Sequence, residues 1–146
     1  MEFDVFNHEQ MHEFGLKLAN KLPNGTVVAL LGDLGAGKTT LVRSVAKGLG
    51  IEEVVQSPTF NIMKLYLKGK RPLIHIDAYR LADLDTDIGL DEYIGYETGL
   101  TVIEWPDFIK DLIPETAITV NIINLGENSR RITIIGDDQA LFGGLN

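Results

Sequence analysis

The sequence predicts an α/β fold, with a mixed β-sheet that is parallel at its centre, antiparallel hairpins added to it, and helices on both faces. Three observations lead to this prediction. An apolar run at 26–31 leads into a glycine-rich loop and then into apolar residues at helical spacing. Two further apolar strands, at 73–77 and 100–104, each end on a carboxylate. The segments 117–125 and 130–135 flank a polar turn, which is typical of an antiparallel hairpin.

The N-terminal region predicts a short strand followed by an amphipathic helix. The strand covers 3–6, and Asn7 can cap the helix with Gln10 three residues later, as in a capping box. The helix then shows an apolar stripe at Met11, Phe14, Leu18 and Leu22. We expect this stripe to face the core.

The glycine-rich loop at 32–40 matches the phosphate-binding pattern G-x-x-x-x-G-K-[ST] at every fixed position. The strand before it and the helix after it are the context that the pattern requires. Glycines let the backbone N–H groups surround a phosphate chain, and the helix N-terminus adds partial positive charge. Lys38 would reach the terminal phosphates, and the Thr39 hydroxyl would bind Mg²⁺. The loop predicts a P-loop NTPase-like domain that binds a purine nucleoside triphosphate; the alternative is a glycine-rich turn without a ligand.

The remaining segments predict edge strands, turns and a tail. Residues 51–55 are expected to pair at a sheet edge, and 61–67 alternates apolar and polar side chains like a half-exposed strand that forms a hairpin with 73–77. The acidic stretch 78–99 predicts short helical turns. We expect one domain over residues 1–146, in which 137–146 form a loose tail.

Composition restricts the partners and the location. The chain has 146 residues, no cysteine and a formal net charge of −8. A domain that binds nucleic acid alone usually carries a basic face, so direct and tight nucleic-acid binding is not expected. The absence of cysteine and of a long apolar run predicts a cytoplasmic protein that does not cross a membrane.

Two carboxylates are expected beside the loop. In an open α/β sheet, ligands bind outside the carboxyl ends of the parallel strands, where Asp77 and Glu104 fall. A nucleotide hydrolase needs carboxylates to hold Mg²⁺ and to orient the attacking water. The alternative for each is an acid that caps the following turn. Thr59, in a polar loop after a proline, resembles a switch that senses the γ-phosphate, or is an ordinary turn hydroxyl.

Four other residues give weaker signals. Trp105 is the only tryptophan, and a lone tryptophan is more often in the core than in a site. His75 alternates with isoleucines and is interpreted as a sheet-face residue. Arg130 and Arg131 open the last strand and could reach a nucleotide.

Five short motifs resemble the TsaE (YjeE) family in their order and spacing along nearly the whole chain. They are GDLGAGKTTLVR at 32–43, SPTF at 57–60, DAYRL at 77–81, GLDEY at 89–93 and EWP at 104–106. Members of that family are small bacterial P-loop ATPases needed to make threonylcarbamoyladenosine in tRNA, beside the anticodon. The resemblance implies that the chain binds and hydrolyses ATP to reset a complex with TsaB and TsaD, and meets tRNA only through those partners.

The resemblance also implies roles for individual residues. Thr39 and Glu104 become Mg²⁺ ligands with Asp77 as a second acid at the metal, Trp105 becomes part of the site wall, and the adenine lies near 8–11. The motif and the resemblance together give Lys38, Asp77 and Glu104 as catalytic residues. The nucleotide-binding candidates are His8, Met11, Leu34, Gly35, Ala36, Gly37, Lys38, Thr39, Thr40, Thr59, Trp105 and Arg131.

Two other functions use the same loop. A small-molecule kinase usually adds an arginine-bearing lid, but the acidic stretch 83–97 contains no arginine or lysine. A nucleotide-gated binding module with negligible hydrolysis ranks above the kinase. The ATPase of the tRNA-modifying assembly is the favoured function.

Overall fold

A computed structural model describes residues 2–33, 37–53, 55, 62–79 and 90–136. It contains seven strands, two α-helices and two short 3₁₀ helices within these ranges. In chain order they are β1 (Glu2–Val5), α1 (His8–Lys21), β2 (Val27–Gly32), α2 (Lys38–Gly48), β3 (Met63–Tyr66), β4 (Leu73–Asp77), the 3₁₀ helix Leu90–Glu92, β5 (Leu100–Glu104), the 3₁₀ helix Pro106–Leu112, β6 (Ile118–Gly126) and β7 (Ser129–Ile135). The predicted tail at 137–146 lies outside the described residues.

The strands form one mixed sheet in the order β1-β7-β6-β2-β5-β4-β3. The four central strands β6, β2, β5 and β4 are parallel. The edges are antiparallel, since β3 pairs with β4, β7 with β6, and β1 with β7. The predicted fold class and both predicted hairpins are confirmed. All five residues of β5 are buried, which is typical of a central parallel strand covered on both faces.

Each face of the sheet carries its own apolar cluster. Helices α1 and α2 cover one face, where Leu18, Leu41 and Val45 pack against strand residues such as Leu30 and Val102. On the other face the two 3₁₀ helices contribute Leu90 and Ile109, which belong to one cluster with Ile74, Ile76 and Ile103. Helical elements therefore cover both faces, as expected. None of the helices in the described ranges is long and apolar enough to span a membrane.

Asn7 caps α1 as the sequence predicts. Its Oδ1 accepts a hydrogen bond from the Gln10 N–H at 2.8 Å. The return bond of the capping box is displaced by one residue, because the Gln10 Oε1 accepts from the Phe6 N–H at 2.8 Å. This bond occupies the Phe6 N–H, and β1 ends at Val5, one residue before the predicted end.

Helices α1 and α2 pack at very short range through glycines. A Cβ added at Gly15 would lie 2.4 Å from the Ser44 Cβ, and one added at Gly48 would lie 2.6 Å from the Ala19 Cβ. The α2 helix ends at Gly48, and Gly50, two residues later, has a φ of +78° that favours glycine. The close contact fixes α1 against the helix that begins with Lys38.

The predicted edge strand at 51–55 is wrong, because its described residues, 51–53 and 55, form no strand. The Ile51 N–H instead donates to the Ala46 carbonyl, which prolongs the end of α2. The Val55 carbonyl accepts from the Arg43 Nε at 2.8 Å. The strands at the two edges of the sheet are β1 and β3.

Candidate nucleotide-binding site

The predicted loop begins, and the two predicted carboxylates lie, at the carboxyl ends of neighbouring parallel strands. Strand β2 ends at Gly32, where the phosphate-binding loop begins. Asp77 is the register partner of Glu104, and Glu104 is also the partner of Leu30 on β2. Because partners in adjacent parallel strands project to the same face, both carboxyl groups lie on the face that α2 covers. The two strand-end carboxyl groups that the sequence predicted therefore lie side by side, next to the end of β2.

Lys38 is buried beside these strand ends. It is the first residue of α2, only 8% of its surface is exposed, and its Nζ is 4.3 Å from the centroid of the Trp105 ring. At this distance the ring attracts the ammonium through a cation–π interaction. Its neighbour Gly37 has a φ of +106°, which a residue with a Cβ rarely adopts, so a glycine is required where the loop enters α2.

Trp105 borders a cleft and also touches the core. It follows β5 directly in the left-handed region, with φ 56° and ψ 54°, a conformation that costs energy for a non-glycine residue. The ring packs partly against the second apolar cluster and lies 5.1 Å from the Tyr79 ring centroid. An open cleft of about 360 Å³ adjoins it, bounded by Lys38, Asp33 and Asp107 among others. One side of the ring thus agrees with the interpretation of Trp105 as a core residue, and the other side faces the cleft.

Glu104 is a buried acid with a buried partner. Only 5% of its surface is exposed, and its Oε2 lies 2.7 Å from the Nε2 of His75, which is fully buried. The sequence interpretation of His75 as a sheet-face residue missed this contact. The available signal was its position two residues before Asp77, which places it on the same face as Glu104.

Asp77 is the half-buried acid of the site. Its Oδ1 accepts a hydrogen bond from the Tyr79 N–H at 3.1 Å. Burial raises the pKa of Asp77, and the neighbouring Glu104 charge raises it further, although the Tyr79 bond and the charges of His75 and Lys38 act in the opposite direction. A cation bound at this edge would favour the ionised form.

The donors fit a magnesium ion that is held largely by phosphate. Mg²⁺ is usually bound by one or two carboxylates together with substrate phosphates and water. Asp77 and Glu104 supply two carboxyl groups side by side, and Thr39 supplies a hydroxyl from the first turn of α2. Across the described ranges no group of three or more histidines, cysteines or acids could hold a metal unaided.

The predicted base-binding residues border a small pocket at the start of α1. His8 and Met11 meet Gly37 and Thr40 there, and the Met11 Cε lies 3.5 Å from where a Gly37 Cβ would be. Arg131 does not line this pocket, and its Nε binds the Asp4 Oδ1 at 3.0 Å. This ion pair lowers the pKa of Asp4.

Arg130 borders the pocket instead. It is held by the turn between β6 and β7, where its Nη1 donates to the Asn124 Oδ1 at 3.1 Å and to the Glu127 carbonyl at 3.0 Å. Strand alternation sends Arg130 and Arg131 to opposite faces, and the sequence did not show which one would face the pocket. The remaining predicted residues, Leu34, Gly35, Ala36 and Thr59, lie outside the described part of the chain.

A phosphate-binding motif between β2 and α2, beside carboxylates at the ends of adjacent parallel strands, defines a P-loop nucleotide-binding protein. The model of one family, described as threonylcarbamoyl adenosine biosynthesis protein TsaE, matches residues 5–132. The chain belongs to the TsaE family.

Curated relatives and a solved structure agree with this assignment. The chain is 45% identical to the tRNA threonylcarbamoyladenosine biosynthesis protein TsaE of Bacillus subtilis over 109 residues, which are 75% of this chain and 68% of that protein. It is 42% identical to the protein of the same name from Treponema pallidum over 123 residues, covering 83% and 90%. The crystal structure of Bacillus subtilis YdiB superposes with a TM-score of 0.84 at 32% identity, over 99% of this chain and 93% of that one.

Proposed function

We propose that this chain is the ATP-binding and ATP-hydrolysing subunit required for threonylcarbamoyladenosine modification of tRNA next to the anticodon. It acts with TsaB and TsaD and resets their complex between turnovers. The observation that carries this proposal is the convergence of Lys38, Asp77 and Glu104 at one sheet edge in a chain of the TsaE family. Lys38 can bind the phosphates there, and the carboxyl groups of Asp77 and Glu104 can bind a metal.

Lys38 and the loop bind the triphosphate. By the motif, the backbone N–H groups of Leu34, Gly35, Ala36 and Gly37 would bind the phosphates. The Lys38 ammonium would move from the Trp105 ring to the terminal oxygens. Thr39 and Glu104 hold Mg²⁺ with Asp77 beside them, and bound Mg²⁺ supplies neutralisation of the phosphate charge. Glu104 or Asp77 also orients the attacking water.

The base lies in the pocket at the start of α1. His8, Met11 and Thr40 contact the adenosine part. Trp105, which borders the cleft beside Lys38, closes the phosphate end. Arg130 borders this pocket, and Arg131, the arginine that the sequence suggested, forms an ion pair with Asp4. Thr59 senses the γ-phosphate from its polar loop.

The charge of the chain supports an indirect role in tRNA binding. With a formal net charge of −8, the chain lacks the excess of lysine and arginine that phosphate backbones attract. We expect the chain to act in the cytoplasm. By itself it should hydrolyse ATP slowly with Mg²⁺, and TsaB and TsaD should stimulate this hydrolysis. In this function the protein partners present the tRNA.

A reconstituted modification assay tests the proposal. With TsaB, TsaD, tRNA, the threonylcarbamoyl donor and MgATP, the wild-type chain should support repeated product formation, and Lys38→Ala or Thr39→Ala should abolish it. Lys47→Ala is the matched control, since Lys47 is exposed on the same helix. Normal product with Lys38→Ala would contradict the proposal.

The Glu104→Ala variant separates hydrolysis from binding. We expect it to bind ATP but to lose turnover, which a nucleotide-binding assay and a phosphate-release assay measure separately. Full product formation without hydrolysis would instead identify a nucleotide-gated binding module. Efficient phosphoryl transfer to a small metabolite would identify a kinase.

A further inference from the structure

The proposed chemistry leaves one buried ionisable side chain of the site without a role. His75 is 0% exposed in the middle of β4, and its Nε2 lies 2.7 Å from the Glu104 Oε2. No other hydrogen bond of the His75 ring occurs within the described part of the chain, where Nδ1 has no partner. The ring therefore has one polar contact, and that contact is to an acid of the proposed metal site.

The sheet register explains why these two side chains meet. His75 is the partner of Val102, and Glu104 lies two residues further along the same strand on the same face. The two side chains are thus diagonal neighbours on adjacent central strands, both nearly inaccessible to solvent. A buried carboxyl group is costly unless it is hydrogen-bonded, and His75 is the partner that the structure gives Glu104.

The hydrogen bond also orients the carboxyl group. A carboxylate oxygen only accepts hydrogen bonds, so in this pair the His75 Nε2–H donates to Oε2, while Nδ1 has no partner among the described residues. With Oε2 bound to His75, Oε1 is the oxygen left for a metal or for water.

We propose that His75 is a positioning residue, which holds Glu104 through Oε2 so that Oε1 faces the nucleotide-bound cation. This role rests on the proposed function, because it requires Glu104 to act on a cation at the phosphates. Histidine and carboxylate partners behind metal ligands typically contribute 10- to 100-fold to metal affinity or activity, roughly the effect expected here.

Three substitutions separate positioning from simple core filling. In His75→Gln the side-chain amide can donate at about the reach of Nε2, so the bond to Glu104 can persist. In His75→Asn the amide reaches only about as far as Nδ1, so the donor is too short. In His75→Leu an apolar side chain of similar size fills the space but donates nothing.

Binding of Mn²⁺, a spectroscopic substitute for Mg²⁺, gives a readout that does not depend on turnover. Electron paramagnetic resonance would measure Mn²⁺ affinity for the full chain with a non-hydrolysable ATP analogue, and nucleotide affinity would be measured separately in chelator. We expect Mn²⁺ affinity to fall about 10- to 100-fold in His75→Leu and His75→Asn. In His75→Gln it should stay within about 3-fold of wild type, and metal-free nucleotide affinity should not change in any variant.

The possible results distinguish failure of the His75 positioning role from failure of the proposed ATPase function. Wild-type Mn²⁺ affinity in a folded His75→Leu or His75→Asn chain would overturn the positioning role and leave the ATPase proposal intact. The same conclusion follows if folded His75→Gln loses as much affinity as His75→Asn. If the wild-type chain binds no Mn²⁺ with the analogue, the proposed function fails, and the positioning role with it. If His75→Leu does not fold, circular dichroism shows this and the Gln and Asn pair decides.

Discussion

The Lys38 ammonium rests on the Trp105 ring, and this contact gives the site an internal reporter. The distance from Nζ to the ring centroid is 4.3 Å, and Trp105 is the only tryptophan in the chain. We predict that ATP changes the intrinsic fluorescence, because the ammonium moves from the ring to the phosphates. Lys38→Met should show altered emission without nucleotide and little response to ATP, whereas Lys47→Met, on the exposed side of α2, should behave like wild type. Unchanged wild-type emission at saturating ATP would contradict this movement.

A second residue-scale prediction concerns the pH dependence of stability. The pKa of Asp77 is raised above its usual 3.8, chiefly by burial, so the folded chain holds this proton more tightly than the unfolded chain. In the pH window just above 3.8 the folded state therefore binds more protons than the unfolded state. The contribution of Asp77 to the free energy of unfolding falls as pH rises through this window. Urea denaturation should show that Asp77→Asn removes this fall. A fall of the same size in Asp77→Asn would contradict the assignment.

The residue scale also shows where the sequence was insufficient. Asp77, Glu104 and Lys38 were predictable, because a motif and a strand end each determine an approximate position. The His75 contact depends on which strand lies beside β4, and only the sheet order shows that this strand is β5. The choice between Arg130 and Arg131 depends on register, since a shift of one residue exchanges the two faces.

The contact between α1 and α2 carries the prediction at the element scale. Replacing glycine by alanine inside a helix usually adds stability of about 1 kcal/mol through propensity. At Gly15, however, the new Cβ would lie 2.4 Å from the Ser44 Cβ, and the Leu41 carbonyl oxygen is 3.3 Å away. We expect steric overlap to dominate, so Gly15→Ala should destabilise the fold by about 1–3 kcal/mol in chemical denaturation.

A double-mutant cycle controls for other causes of this loss. Ser44→Gly removes the opposing Cβ, so the Gly15→Ala substitution should destabilise less in that background than in wild type. Glu13→Ala, at an exposed position of α1, should change stability by less than about 0.5 kcal/mol. Equal losses from Gly15→Ala in both backgrounds would show that the two Cβ atoms do not collide.

Elements with strong local signals were predictable, and the one without such a signal was not. Both helices have apolar residues at helical spacing, and α1 has a cap at Asn7, which is a local property. The stretch 51–55 is apolar enough for a strand, but its backbone groups bond to the end of α2 and to Arg43. Such tertiary hydrogen bonds leave no periodic pattern in a sequence.

At the scale of the whole molecule, the site is an extension of the core. Glu104 belongs to a strand that is buried along its length, and Lys38 begins the helix that covers that strand. Because the loop joins β2 to α2 and both belong to the same apolar cluster, a ligand held by the loop is coupled to global unfolding. Nucleotide binding should therefore stabilise the entire domain.

This coupling predicts a large thermal shift with MgATP. A ligand that binds only the folded state adds about 2.7 kcal/mol at a concentration 100 times its Kd. For a chain of this size each kcal/mol raises Tm by about 2–4 °C, so differential scanning fluorimetry should show an increase of roughly 5–10 °C. Lys38→Ala should lose most of the shift, while Lys47→Ala, on the same helix but exposed, should keep it. Chelating Mg²⁺ should reduce the shift in wild type and change it much less in Glu104→Ala, which already lacks a carboxyl group beside the phosphates. An equal shift in Lys38→Ala and wild type would mean that the nucleotide stabilises the fold from somewhere other than the loop.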